Sequence, residues 1–243
     1  MKISKLIRVE CYRFMHSMDL IKYMLFVTPM IFLIGYFSSR SYVEVAGKEN
    51  WAREIWGASL SNLFSVVVLS LVITATYVGR EFRQKTINYE LMQGYSILAI
   101  ALSKMTTCGG LAALYFLCCM IAVNGIVPGA LATAGVYRIL LFFLFYFHLF
   151  AVSSLFVMIF RNGLTGGIAI FFRFLFLDGI ISQIAEKAGK QIDDVIFMTR
   201  WGKLLDVSKP ISVSSGLWMI IMTLLEILIL FGALIISKRE ADY

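Results

Sequence analysis

Three ionisable side chains, Arg173, Asp178 and Glu226, interrupt otherwise apolar runs, and His148 lies inside another. In hydrocarbon a lone charge costs at least ~3 kcal/mol unless it is paired or hydrated. Counted along helices at 1.5 Å per residue, Arg173 falls roughly 18 Å from Arg161 and Glu226 roughly 18 Å from Lys238. His148 comes out close to the same depth. The expectation is an Arg173–Glu226 ion pair, acting either as a structural lock or as the lining of a path for a substrate.

The second group of candidates is the stretch Arg80 to Lys104, 25 residues between two long apolar runs. It carries Arg80, Glu81, Arg83, Lys85, Glu90 and Lys104. Thr86, Tyr89, Glu90 and Gln93 can share one face of a short helix, with Ile87, Leu91 and Tyr95 on another. Gly94 breaks that pattern, and Ser96 is a suitable N-cap for the next helix. A turn between two membrane spans needs only a few polar residues. This one is long and helically patterned, as a contact segment would be.

Catalytic and metal-binding patterns are not found. Gly47-Lys48, Gly189-Lys190 and Gly202-Lys203 lack the residues that would complete a phosphate loop. There is no H-E-x-x-H and no G-x-S-x-G, and neither His16 nor His148 has an evident nucleophile to activate. The two histidines are far apart, so no metal-ligand spacing arises. Cys11, Cys108, Cys118 and Cys119 fall in the first helix or in apolar runs. Cys118 and Cys119 point about 100° apart on a helix, so the four do not read as an exported disulfide framework.

The elements that must hold these residues are membrane helices. Hydrophobic residues make up 60% of the chain, mean hydropathy is +0.83, and there are only three prolines. Those values exclude an ordinary soluble domain. The apolar runs are continuous rather than alternating, which argues against a transmembrane barrel. Lys2, Lys5, Glu10, Arg13 and Asp19 rule out a signal peptide at the start. Residues 2–19 instead place Ile3, Leu6, Ile7, Cys11, Phe14, Met15 and Met18 at helical spacing, as an interfacial helix does.

A span needs about 20 apolar residues. Six are expected: 21–37, with a Pro29 kink, then 58–79, 105–127, 137–160, 163–182 and 215–236. The fold class is therefore an all-α integral membrane protein of one domain, with both termini on the same side. Twelve Lys and Arg lie on the side of the N-terminal arm, the 80–104 segment, Arg161 and the tail. The opposite loops, 38–57 and 185–214, hold eight, accompanied by seven acidic residues. The positive-inside rule then puts both termini in the cytoplasm. The net charge of +7 is explained by this bias and does not require nucleic acid. Trp51 and Trp56 suit an outer interfacial helix, and 185–214 is polar and external. Gly163, Gly166, Gly167 and the pair Gly125 and Gly129 would let helices approach closely. The phenylalanines of 142–150 and 171–176 are read mainly as packing or lipid-facing, with an aromatic cavity for an apolar cargo as the alternative.

This layout resembles the membrane (permease) subunit of a bacterial ABC-2 type ABC transporter, particularly the small permeases of peptide export and bacteriocin immunity. The resemblance covers the whole chain. It is carried by Gly79-Arg80-Glu81, Lys85-Thr86, Glu90-Leu91-Met92, Gly94-Tyr95-Ser96 and Lys104. Lys85 stands where the family often has Gly, and Gly94-Tyr95-Ser96 replaces a common Pro-x-Ser. The resemblance implies that Glu81 to Gln93 is a cytoplasmic coupling helix inserted into an ATPase. Its contacts would come from Arg80, Glu81, Arg83, Lys85, Thr86, Tyr89, Glu90 and Gln93. It also implies two permease chains, identical or paired with a sister, in the bacterial plasma membrane. Two separate ATPase chains would bind ATP and Mg²⁺, and this chain would carry no cofactor and no catalytic residue. Arg173, Glu226, Asp178 and His148 are then the pathway candidates.

The expected cargo is an amphipathic or hydrophobic peptide, with lipid, polysaccharide or drug export as family alternatives. A different class is a non-transporting immunity or sensor protein that binds peptide at its outer loops. A secondary transporter fits less well, because no inverted repeat is evident.

Overall fold

The computed structural model describes residues 3–17, 29, 63–126, 135–187, 203–204 and 211–239. Apart from residue 29, the expected first span 21–37 lies outside the described residues, as do the loop 38–57 with its two tryptophans and most of the 128–136 and 185–214 segments. So do the side chains of Cys118, Cys119 and Asp178.

Among the described residues all regular structure is helical. The order is α1 (Ile3–Met15), α2 (Leu63–Arg83), α3 (Thr86–Met92), α4 (Ile97–Ile126), α5 (Val136–Phe160) and α6 (Gly163–Phe172). A π-helical turn (Arg173–Leu177), α7 (Asp178–Lys187) and α8 (Val213–Arg239) follow. Two of these, Val136–Phe160 and Val213–Ser237, are long and apolar enough to cross a membrane.

The breaks between helices have local causes. Lys85 takes the left-handed conformation at φ 56°, which ends α2 and lets α3 leave in a new direction. Gly94, at φ 83°, does the same after α3 at low steric cost. The Ser96 hydroxyl then accepts from the Ala99 amide at 3.2 Å and caps α4. Arg161, left-handed at φ 53°, closes α5. Asn162 opens α6 by accepting from the Leu164 and Thr165 amides at 2.8 and 3.4 Å.

α5 is the central rod, packed by α2, α4, α6 and α8. Phe142, Tyr146, Leu149, Phe150, Val152 and Leu155 are fully buried along it. Of its apolar stretch 67% is buried, against 28% for α8, so α8 turns most of its surface outward. Gly163 sets the crossing of α6 on α2: a Cβ there would lie 2.6 Å from the Ala75 carbonyl oxygen. Gly166 plays the same part against α5, where a Cβ would meet the Val157 Cα at 2.6 Å.

One range differs from the sequence reading. The fifth apolar run was expected to end near Ser182, but helix continues through the π turn to Lys187. Its outward apolar positions continue with it, through Ile180 and Ile184. The helix expected after the Ser96 cap does begin at Ile97 and runs on through the 105–127 run, so the two form one rod.

Candidate functional site

The densest concentration of charge in the described structure lies where α1, the end of α2, α3 and the start of α4 meet. α1 buries Leu6, Glu10 and Phe14 on one stripe, each four residues from the next. Glu10 is thereby carried into the bundle, where its side chain is fully enclosed. Lys104 reaches it from α4, with Nζ 2.6 Å from Glu10 Oε2, and is equally enclosed. Lys104 also pairs with Glu81 on α2. The Tyr77 hydroxyl donates to Glu10 Oε2 at 2.6 Å, and Lys104 Nζ sits 5.6 Å from the Tyr77 ring centre.

Arg13, one turn after Glu10, links this pair to α3. Its guanidinium donates to Glu10 Oε1 at 3.0 Å and to Glu90 Oε1 at 2.5 Å, with Glu81 Oε1 at 3.9 Å. Three carboxylates therefore share two cations. Burial opposes ionisation of Glu10, but Lys104, Tyr77 and Arg13 outweigh it and hold the carboxyl below its ordinary range. Burial wins at Glu81, helped by repulsion from Glu10 and Glu90 against the pull of Lys104, and pushes it up to about 7. Glu90 is raised for the same first reason. The cluster thus has one carboxyl that can hold a proton near neutrality, which would balance its charge.

Beside it opens a cavity of about 290 Å³ lined by Arg13, Tyr77, Arg80, Glu81, Gln84 and Thr86, among others. The structure brings Arg80, Glu81 and Thr86 together there but separates them from Tyr89 and Gln93, which are exposed. Arg83 and Lys85 are exposed as well. The anticipated contact face of Thr86, Tyr89, Glu90 and Gln93 is therefore split. Glu90 turns inward to Arg13 beside the buried Ile87, while Asn88, Tyr89, Met92 and Gln93 face out. Glu81 also belongs to α2 rather than to the short helix, because the left-handed Lys85 lies between them.

The second constellation is in the middle of the bundle. Arg173 donates from Nε to Glu226 Oε1 at 2.7 Å and from a terminal nitrogen to Oε2 at 3.0 Å, a bidentate pair between the π turn and α8. His148 Nε2, on α5, lies 3.2 Å from Glu226 Oε2. Phe174 completes the setting, edge-on to His148 with centroids 6.3 Å apart and 5.5 Å from the Arg173 guanidinium. The π turn starts at Arg173 itself, and such turns commonly sit at functional positions. Asp178 opens α7, and its side chain is outside the described part. Among the described residues no group of three or more His, Cys, Asp or Glu is placed to hold a metal ion.

The sequence reading missed Glu10, Arg13, Tyr77 and Lys104 as partners in one network. One signal was present: Glu10 sits on the same stripe as Leu6 and Phe14, a charge on an apolar face that requires a buried partner. Nothing in one sequence says that the partner is Lys104, 94 residues away.

The cluster joins α1, α2, α3 and α4 through charge, and among the described residues it holds no nucleophile–base pair. No protein-family model, curated protein or solved structure matches this chain.

Proposed function

We propose that this chain is the membrane subunit of a bacterial ATP-driven exporter of the ABC-2 type, with six spans, both termini in the cytoplasm and an amphipathic or hydrophobic peptide as cargo. In this reading two permease chains form the pathway. Separate ATPase subunits bind ATP and Mg²⁺ and press on α3.

The carrying observation is the way α3 is fastened. Its inner face is held by Ile87 and by Glu90 on Arg13, and its outer face offers Tyr89 at 65% and Met92 at 82% exposure. Aromatic and methionine side chains of this kind are enriched where proteins meet. A push on α3 passes through Glu90 and Arg13 to α1. From there Glu10 and Lys104 carry it to α4, and Glu81 carries it to α2. One contact would thus move three helices together, as an alternating-access step needs.

Membrane crossing is supported by the outward faces. Leu164, Ile168, Phe172, Phe176, Ile180 and Ile184 form one exposed apolar stripe along α6, the π turn and α7. At 1.5 Å per residue it is about 30 Å long, the thickness of the hydrocarbon core. The end of α2, the start of α6 and the end of α8 lie at one end of the bundle, where Arg161 donates to the Ser237 carbonyl at 3.1 Å. The charge cluster is at that same end, which agrees with a cytoplasmic placement.

The test is to place a photo-crosslinker at Tyr89 or Met92 in the full chain in its native membrane and identify what it captures. Expected is an ATP-hydrolysing subunit, lost from co-purification in Tyr89→Ala/Met92→Asp. A chain that co-purifies no ATPase, or whose ATPase association and transport survive that double change, would refute this reading.

A further inference from the structure

A second cavity, of about 730 Å³, opens on the outside of the bundle between α2 and α6. Its walls are apolar, with Leu71 and Phe82 from one helix and Leu164, Ile168 and Phe171 from the other. Gly163 and Gly167 line it where α6 meets α2, with no side chain of their own between the two helices. Two cations, Arg83 and Arg161, stand at one end, and both are exposed. The N-terminus of α6, capped by the Asn162 side chain, lies at that end too and adds a partial positive charge.

From Arg161 to Phe171, and from Arg83 to Leu71, the apolar walls run for about 15 to 18 Å at 1.5 Å per residue. That is half the hydrocarbon thickness of about 30 Å, or one leaflet. A polar end with two guanidiniums, followed by an apolar groove one leaflet deep, has the dimensions and charge of a phospholipid with an anionic headgroup. A peptide lying there would have to bury backbone N–H and C=O groups against Leu71, Ile168 and Phe171, which offer them no partner.

We infer that the α2–α6 groove is a binding site for an anionic phospholipid of the leaflet on the Arg83 and Arg161 side, holding its headgroup between those two arginines and one acyl chain along Leu71, Ile168 and Phe171. The site lies across the Gly163 crossing from the charge cluster on α2, so an occupied groove would brace the helix that carries Glu81. It rests on the membrane reading above.

The experiment uses the full chain in phosphatidylcholine bilayers doped with spin-labelled phosphatidylglycerol or spin-labelled phosphatidylcholine, comparing the immobilised fractions. Expected is at least about fivefold preference for phosphatidylglycerol, the attraction one basic residue supplies near an anionic headgroup. The preference falls to none in Arg83→Gln/Arg161→Gln and persists in Arg83→Lys/Arg161→Lys. Ile168→Trp, which fills the mouth at an exposed position, reduces immobilisation of the labelled phosphatidylglycerol with the arginines intact. Equal immobilisation of the two lipids by the wild type, or a preference unchanged in the double glutamine variant, overturns the site while leaving the membrane reading in place. A chain that stays in solution without detergent or bilayer, or is stripped from vesicles by carbonate, overturns both.

Discussion

Lys104 and Glu10 form an ion pair at 2.6 Å with both side chains fully enclosed, although α1 and α4 meet nowhere else through opposite charges among the described residues. Each cation or carboxylate left alone there would be strongly destabilising, so the pair fixes where α1 sits. Lys104→Met is expected to cost about 3–5 kcal/mol, because it leaves Glu10 and Glu81 buried against each other. Lys104→Met/Glu10→Met should recover a large part of that. Thermal unfolding in detergent measures both, and additive losses in the double variant would remove the pair from the account.

Glu81 gives the cluster a pH dependence of unusual sign for a carboxylate. Its folded value is raised from 4.5 to about 7, so the folded protein binds this proton more tightly than the unfolded chain does. The stability it contributes is complete below pH 4.5 and is lost as pH rises towards 7, about 3 kcal/mol in all. Glu90 acts in the same direction, whereas Glu10, held low, loses its contribution only as pH falls through its own folded value. Tm should therefore drop between pH 5 and pH 8, and Glu81→Gln should flatten the profile and raise Tm at pH 8. A flat wild-type profile would count against burial as the dominant influence on Glu81.

The bidentate Arg173–Glu226 pair predicts that Arg173→Ala and Glu226→Ala each lower the yield of folded protein, by about 3 kcal/mol or more in stability. The exchange Arg173→Glu/Glu226→Arg should fold better than either charge reversal alone. His148 stands on the same carboxylate, so recovery should be partial. An exchange no better than the single reversals, by size-exclusion profile and Tm, would argue against a structural role for the pair.

Glycine positions separate packing from mere composition. Gly163→Ala should destabilise by about 1–3 kcal/mol, since its Cβ would meet the Ala75 carbonyl oxygen at 2.6 Å. Gly110→Ala, on α4, meets nothing within 4 Å and should be neutral or stabilising by up to about 1 kcal/mol. Equal effects on Tm would mean that α2 and α6 do not cross as closely as described.

The helices were legible in the sequence because they depend on local patterning. Apolar runs of sufficient length mark α5 and α8, Gly94 and Ser96 mark the break before α4, and the isolated charges at 173 and 226 identify each other by equal depth. The charge cluster was not legible. Its members stand on four helices, and a single sequence gives the depth of a residue along its own helix but not the rotation of that helix about its axis. Rotation decided that Glu81 and Glu90 turn inward while Tyr89 and Met92 turn out. It is set by packing around α5 and by the Gly163 crossing, which are contacts between distant segments. The sequence by itself determined an all-helical, strongly apolar chain with charged residues at intervals. Only the tertiary structure decided which of those charges are partners, because pairing depends on where helices cross and not on how each is composed.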